Sequence, residues 1–425
     1  MSRGKYKRIA IAALRSRPDY SRLRLLNETS PRERLQFLRW LDHSGLALYF
    51  FARLRDAREL QNLQPDLRDA LGQRYQSNAV RMRSMFADFW AVNAAFRAAG
   101  IPHAFLKGFA LIPDFCSEMA LRHQSDLDIL VAPESLFSAT QALEGCGYQR
   151  LADDDSLEFS FATPLQRVPN LHDDIYQTPP CKEVELRTSI WNDVGRVSLQ
   201  VPQDCLARSR ESNLQGTQFT SLCVEDTFLM QVLHAFGHLL GSWLRVSWLW
   251  EIHYFVEEHG GDGEFWRAFQ ARAGADPRLR RAIGLVVGLT AQLFDTRLPE
   301  SVRIAYVDSL PERIHAWILH CGAEWALSDI SGSKLTLFIH REFFDESQDW
   351  SAYLLRRIVP MSQSTSARPS GASDVKSRVK ARLVAMSFTM QRLIFHASEA
   401  LRLAWETIRW KQFLHSSRRQ RAASS

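Results

Sequence analysis

The stretch His103-Ala-Phe-Leu-Lys107-Gly108, followed by Arg122-His-Gln-Ser-Asp126-Leu-Asp128-Ile-Leu-Val131, decides how this chain is read. Asp126 and Asp128 lie two residues apart in an apolar run, and a strand turns alternate side chains to opposite faces. Both carboxylates therefore share one face, while Leu127 and Ile129 point into a core. Carboxylates so placed suit hard divalent ions such as magnesium. Two such ions about 3.5–4 Å apart stabilise both the attacking and the leaving oxygen of an in-line displacement. A solvated turn at a strand end is the plainer account of Asp-x-Asp, and a motif this short does not decide alone.

The residues upstream favour the first account. Ile101 to Leu106 predicts a short strand, Lys107-Gly108 a turn, and Phe109 to Phe115 the beginning of a helix. Glycine in the turn lets the backbone approach a ligand closely. The N–H groups of the helix start and the Lys107 ammonium then face an anion, whereas the bland alternative is an exposed lysine in a turn. Phosphoryl or nucleotidyl transfer is the expectation.

Leu106-Lys107-Gly108, Arg122, Asp126 and Asp128 resemble, position for position, the pattern of the bacterial uncharacterised nucleotidyltransferase family. That family, within the superfamily with a polymerase-beta type palm, carries Leu-Lys-Gly on its first strand and Arg-x-x-x-Asp-hydrophobic-Asp on its second. The chain departs from the superfamily in having Gly108-Phe109 where Gly-Ser or Gly-Gly is usual, and in a longer spacer to Asp126. The resemblance implies an α+β fold: a nucleotidyltransferase palm, a small mixed sheet with helices, flanked by N-terminal and C-terminal helical regions.

It also implies a third carboxylate, on a neighbouring strand, that completes the metal site and helps deprotonate an acceptor hydroxyl. Glu185, in Cys181-Lys-Glu-Val-Glu185-Leu-Arg-Thr-Ser-Ile-Trp191, matches the family's acid-Leu-His-Trp segment, with Arg187 standing where histidine is usual. By alternation Glu183, Glu185 and Arg187 share a face, so Glu183 is a rival.

The resemblance continues through His234-Ala-Phe-Gly-His238 to Arg245, Trp248 and Glu251, the last in place of the usual aspartate. At about 100° per residue, His234, His238, Gly241, Arg245 and Trp248 form one stripe if the helix runs unbroken through Gly241. Zinc binding by the two histidines is disfavoured, because the position after the first holds Ala235 rather than the glutamate of metalloproteases. The stripe is either a packed, hydrogen-bonded helix face or the lining of the cleft, contacting nucleotide or acceptor, with Arg245 as a phosphate clamp.

At 425 residues, with 46% hydrophobic residues, 12 Trp and 25 Phe, the chain is globular and long enough for a large core. Six cysteines without a Cys-x-x-Cys pair indicate neither a zinc knuckle nor a disulfide framework, and read as reduced thiols in a cytoplasmic protein. The apolar patch from Ile9 to Leu14 is too short for a signal-peptide core, and no uncharged run is long enough to cross a bilayer.

Charge is divided unevenly. Of 53 Lys/Arg and 47 Asp/Glu, residues 1–24 hold eight and one, and residues 351–425 hold fourteen and three. Residues 25–350 therefore carry thirty-one against forty-three and are acidic, although the chain is net +6. An acidic body argues against a template-tracking enzyme on long nucleic acid, whose channel needs a continuous basic surface.

Four regions follow. Residues 1–98 form an N-terminal helical region, in which Ser30-Pro31 caps a helix and Leu35, Leu38, Leu41, Leu46 and Phe50 are spaced for buried faces. Gly100 and Pro102 end it. Residues 99–222 form the palm, with turn clusters at Asp153-Asp-Asp and Thr178-Pro-Pro, and residues 223–360 a C-terminal helical domain. Residues 361–425 begin with a Ser/Gly/Pro-rich linker, 362–373, and end in a basic tail expected to be disordered. Between them, Val375, Val379, Leu383, Met386, Met390, Leu393, Leu401, Ala404 and Ile408 mark an apolar helical stripe amid Lys376, Lys380, Arg382, Arg392, Arg402 and Arg409. Such a basic amphipathic helix docks on a protein partner, on the acidic body, or on an anionic membrane surface.

The expected function is metal-dependent transfer of a nucleotidyl group from a nucleoside triphosphate such as ATP to a hydroxyl acceptor, with pyrophosphate release. Asp126, Asp128 and Glu185 hold two magnesium ions, with manganese the alternative; Lys107, Gly108, Arg122, Arg187, His234, His238 and Arg245 contact substrate. Two other readings stand beside it: a nucleotide-binding scaffold without turnover, and a toxin-like enzyme modifying tRNA or protein.

Overall fold

A computed structural model describes residues 4–151, 158–165, 175–192, 197–328, 333–344, 349–358, 390 and 393–415. The Asp153-Asp-Asp cluster, the 362–373 linker, Val375, Val379, Leu383, Met386, the basic residues 376, 380, 382 and 392, and the tail lie outside the described residues.

The amino-terminal helices follow from local signals. After α1 (Gly4–Ala13), Ser30 starts α2 (Pro31–Ser44) with a full capping box: Glu33 N–H donates to the Ser30 hydroxyl, and Ser30 N–H donates to the Glu33 carboxylate. Gly45, at φ 74°, closes α2 in the left-handed conformation. Leu38, Leu41, Leu46 and Phe50 are buried as their spacing predicts, but Leu35 is exposed. Phe37, Trp40 and Leu41 define the buried arc of α2, and Leu35 falls on its far side. α3 (Ala47–Asp56) and the long α4 (Pro65–Ala98) complete this region.

The strands build one seven-stranded mixed sheet among the described residues. They are β1 (His103–Phe105), β2 (Asp126–Val131), β3 (Gln149–Arg150), β4 (Glu158–Ala162), β5 (Glu183–Arg187), β6 (Arg210–Leu214) and β7 (Thr217–Ser221), in the order β3-β4-β5-β2-β1-β7-β6. β1 runs antiparallel to β2, and β2 parallel to β5. One face carries Phe105, Leu127, Ile129, Val184, Leu186 and Phe219, packed on Phe89, Val92 and Phe96 of α4. Burying each such side chain contributes about 1.5–3 kcal/mol, which fixes the register of strands whose opposite face is polar. α5 (Leu136–Gly145) packs on the same core.

The carboxylate face is turned toward the carboxy-terminal helices. α6 (Val224–Leu240), α7 (Val246–His259), α8 (Gly263–Ala273) and α9 (Pro277–Phe294) share a second core with α1, α2 and α3. Asp262 and Asp276 cap α8 and α9 through their side chains.

Three local expectations are corrected. The helix is not continuous through Gly241: α6 stops at Leu240, Ser242 adopts φ 61°, and Trp243 N–H donates to His238 C=O at 3.0 Å before α7 begins at Val246. The segment after Lys107 makes a 3-10 turn, Gly108–Leu111, rather than starting an α-helix, and Pro113 supplies no N–H to extend it. In helix 393–415, Leu393, Leu401, Ala404 and Ile408 face solvent, because the helix docks through its opposite side. There Glu399 accepts from Lys334 N–H, and Trp410 stacks on Phe338 with ring centroids 5.3 Å apart. No helix among the described residues is long and apolar enough to cross a membrane.

One buried group outside the cleft makes stability pH-dependent. His340 is fully buried, with the Tyr353 hydroxyl 2.8 Å from Nδ1, and burial pushes its pKa down to about 3. The unfolded imidazole takes its proton near pH 6.5. Stability is therefore complete above that pH and is lost as pH falls toward the folded value, at about 1.4 kcal/mol per unit. Denaturant titrations at pH 6.5 and 5 should show that His340→Gln removes about 2 kcal/mol of the difference between the two pH values. An unchanged difference would place the acid sensitivity elsewhere.

Candidate active site

Parallel pairing of β2 and β5 sets Asp126 opposite Glu183 and Asp128 opposite Glu185. Of the two rivals, Glu185 is the one drawn inward. Carboxylate oxygens of Asp126, Asp128 and Glu185 lie within 4.8 Å of one another, the one such cluster of metal-ligating groups among the described residues. Glu183 is exposed at the strand start, beside Cys181.

Cations balance this cluster. Lys107 Nζ is 2.8 Å from Asp128 Oδ1, and Arg187 Nε is 3.3 Å from the same oxygen. Arg187 Nη2 donates to Glu185 Oε2 at 2.8 Å. Burial raises the Asp128 pKa, but the two cations more than offset it, and the group lies below the usual carboxylate range. Burial and then the Asp128 charge push Asp126 up, and the same two causes bring Glu185 to about 7. One acid is thus held ionised while its neighbour is poised near neutrality, the division of labour that proton-transfer sites use.

Gly108 has φ +68°, and a Cβ built there would meet the Gln124 amide at 2.4 Å. Gln124 Nε2 in turn donates to the Asp126 carbonyl at 3.0 Å, so the turn and the carboxylate strand are packed through one side chain. Gly108→Ala is expected to cost about 2 kcal/mol of stability in denaturant titrations, from the left-handed backbone and the displaced amide together. A loss below about 0.5 kcal/mol would mean that the turn relaxes freely.

The cleft above the cluster has a volume of about 490 Å³, within the range of small-ligand sites. Lys107, Gly108, Arg122, Arg187, His234, His238 and Arg245 all line it, despite the break at Gly241. The roles differ. Arg122 is buried and donates through Nε to Glu251 at 3.1 Å, which braces the approach to β2. His234 meets Trp248 edge-on and His238 meets it tilted, with ring centroids 4.4 Å away in each case. Burial, followed by the Lys107 charge, holds His238 down at about 4 and His234 well below its ordinary value, so both are neutral imidazoles at pH 7.

Residues that sequence reasoning missed complete the walls. His123 Nδ1 accepts from Arg245 Nη1 at 3.2 Å, and its other ring nitrogen bonds the Ile175 carbonyl at 2.9 Å. Asn192 and Trp243 also line the cleft. Arg81 lies on the face of α4 between Asn78, which donates to the Ala120 and Arg122 carbonyls, and Met85, which packs beside Leu127. It is buried, and neither Nε nor Nη1 has a hydrogen-bond partner. Nothing in the sequence near Arg81 marks it; the contact of α4 with residues 119–121 brings it behind the cleft, near Asp126 and Arg245.

No curated protein and no solved structure matches the chain. Residues 30–295, more than half of it and containing every residue of the cluster and cleft named above, match the uncharacterised nucleotidyltransferase family. The chain belongs to that family.

Proposed function

We propose that the protein transfers a nucleotidyl group from a nucleoside triphosphate to a hydroxyl acceptor and releases pyrophosphate, with a divalent cation at Asp126, Asp128 and Glu185. The observation that carries this reading is the convergence of those three carboxylates, within 4.8 Å, on a cleft floor. An all-oxygen donor set of this kind fits magnesium, or manganese, better than zinc. When bound, the metal supplies charge neutralisation at the phosphate oxygens and at the attacking oxygen.

The chain's own groups do the rest. Lys107 and the Gly108 backbone hold phosphate oxygens, and Arg187 steadies Asp128 and Glu185. Glu185, brought to about 7, takes the acceptor hydroxyl proton on a carboxylate oxygen. The freed oxygen pair attacks the α phosphorus, the bond from that phosphorus to the bridging oxygen breaks, and pyrophosphate leaves with the electrons. Arg245, which lines the cleft, has no carboxylate partner among the described residues, so its charge is available to the triphosphate, and the buried Arg81 adds positive charge nearby. His234 and His238, neutral and packed against Trp248, offer a surface to nucleotide or acceptor. Positioning and preorganised charge account for most of the rate.

A neighbouring cavity of about 290 Å³, lined by Phe37, Trp40 and Trp325, shares Trp243 with the cleft. It supports a small or medium-sized acceptor over long nucleic acid, and the free thiols fit a cytoplasmic setting. A second reading, nucleotide binding without turnover, draws on the ion pairs by which Lys107 and Arg187 already satisfy Asp128.

The test is pyrophosphate release from each of the four nucleoside triphosphates with magnesium, in the presence of small-molecule, RNA and protein hydroxyl acceptors, with and without chelator. Chelator-sensitive release supports transfer. Calorimetric nucleotide binding with no release on any acceptor class would favour the scaffold instead.

A further inference from the structure

Helix 393–415 has two apolar faces, and the structure uses only one. Glu399, Leu403, Trp410 and Phe413 turn to the body, where Glu399 meets Lys334 and Trp410 lies on Phe338. On the opposite side, Met390, Leu393, Ile394, Leu401, Trp405 and Ile408 are each 56–74% exposed, and Ala397 and Ala404 between them are exposed too. At about 100° per residue these eight positions fall in one stripe, and from 390 to 408 it runs about 27 Å. A contiguous apolar strip of this size on a soluble surface marks an interaction site.

Charge selects the partner. Residues 390–425 carry seven Lys/Arg against two acids, Glu399 and Glu406. Both acids are spent on the docked side: their side chains are only 7% and 15% exposed, and they pair with Arg402 and Arg409. Arg402, Arg409 and Lys411 border the stripe; Arg402 pairs with Glu324 and Glu399 and Arg409 with Glu406, and residues 390–425 keep a positive excess of five. The acidic body is already engaged by the other face of the helix, and stripe-to-stripe pairing of two copies would bring like charges together. The stripe is a ridge along one convex helix, not a groove that a peptide could enter.

We infer that this face lies flat on an anionic membrane surface, with Leu393, Ile394, Leu401, Trp405 and Ile408 in the headgroup–acyl boundary and the basic residues over the phosphates. Leu, Ile and Trp on the apolar side, Lys and Arg on the rim, are the residues such interfacial helices use. The helix then holds the catalytic body beside the bilayer without spanning it. The inference stands on helix 393–415 alone and is independent of the transfer chemistry.

The experiment is co-sedimentation of the full chain with vesicles of phosphatidylcholine alone and with about one third phosphatidylglycerol. Partition onto the anionic vesicles should be at least about tenfold stronger, and weaker at high salt. Leu401→Asp with Ile408→Asp should reduce it at least about tenfold, while circular dichroism and melting temperature stay unchanged because both side chains are already solvated. No binding to anionic vesicles would overturn the inference, as would binding that the double variant retains. A concentration-dependent dimer that the variant abolishes, without vesicle binding, would overturn it in favour of a second copy.

Discussion

Asp126→Asn and Asp128→Asn should each reduce pyrophosphate release by at least about a thousandfold, yet shift stability in opposite directions. Both substitutions preserve side-chain shape and remove one charge from the three-carboxylate cluster. At Asp126 that charge is unfavourable in the folded protein, because burial and the neighbouring Asp128 raise its pKa. A neutral amide relieves this, and a gain of up to about 1 kcal/mol is expected. At Asp128 the charge is what balances Lys107 at 2.8 Å and Arg187 at 3.3 Å. Removing it leaves two largely buried cations short of a partner, with an expected cost of about 3 kcal/mol. Turnover and denaturant titration on the same preparations separate the two effects. Activity surviving the double substitution would sink the assignment, whereas equal stability losses would show that the electrostatic account of the cluster is wrong.

Glu251→Ala is expected to cost about 3–5 kcal/mol, the largest stability effect foreseen for a residue that need not touch substrate. Glu251 is almost fully buried and accepts from Tyr49 Oη at 2.7 Å, from Arg122 Nε at 3.1 Å and from Gln231 Nε2. Three elements, α3, the approach to β2 and α6, are thereby tied to α7. Truncation strands the buried Arg122 guanidinium in a low-dielectric interior, so most of the loss comes from the orphaned cation. It follows that Arg122→Met combined with Glu251→Leu should be less destabilised than Glu251→Ala alone. A double variant worse than the single would show that the pair contributes net attraction, not merely mutual compensation. Chemical denaturation checks both outcomes.

The carboxylate cluster was legible at short range. Period-two alternation at Asp126-Leu-Asp128 put both acids on one face, and the same rule at Glu183-Val-Glu185-Leu-Arg187 put three charged groups on another strand's face. The helix cap at Ser30-Pro31 and the stop at Gly100 were equally readable, since each depends on a few consecutive residues. Where local pattern failed, a distant contact had prevailed. Leu35 fits a helical spacing but lies off the arc that α2 buries. The stripe from His234 to Trp248 crosses a helix break, and still gathers in the cleft because α6 and α7 fold back around it.

By itself the sequence determined the residue types, their faces along each strand and the family signature, because alternation and capping are properties of adjacent residues. Only the tertiary structure decided which glutamate joins Asp128, that Arg122 is held by Glu251, that the buried Arg81 lies near Asp126 and Arg245, and which face of helix 393–415 is left in water. Each of those outcomes depends on the register or packing of segments tens to hundreds of residues apart. Such pairings are set by the sum of buried apolar area and compensated charge over the whole molecule, a quantity that no local window contains.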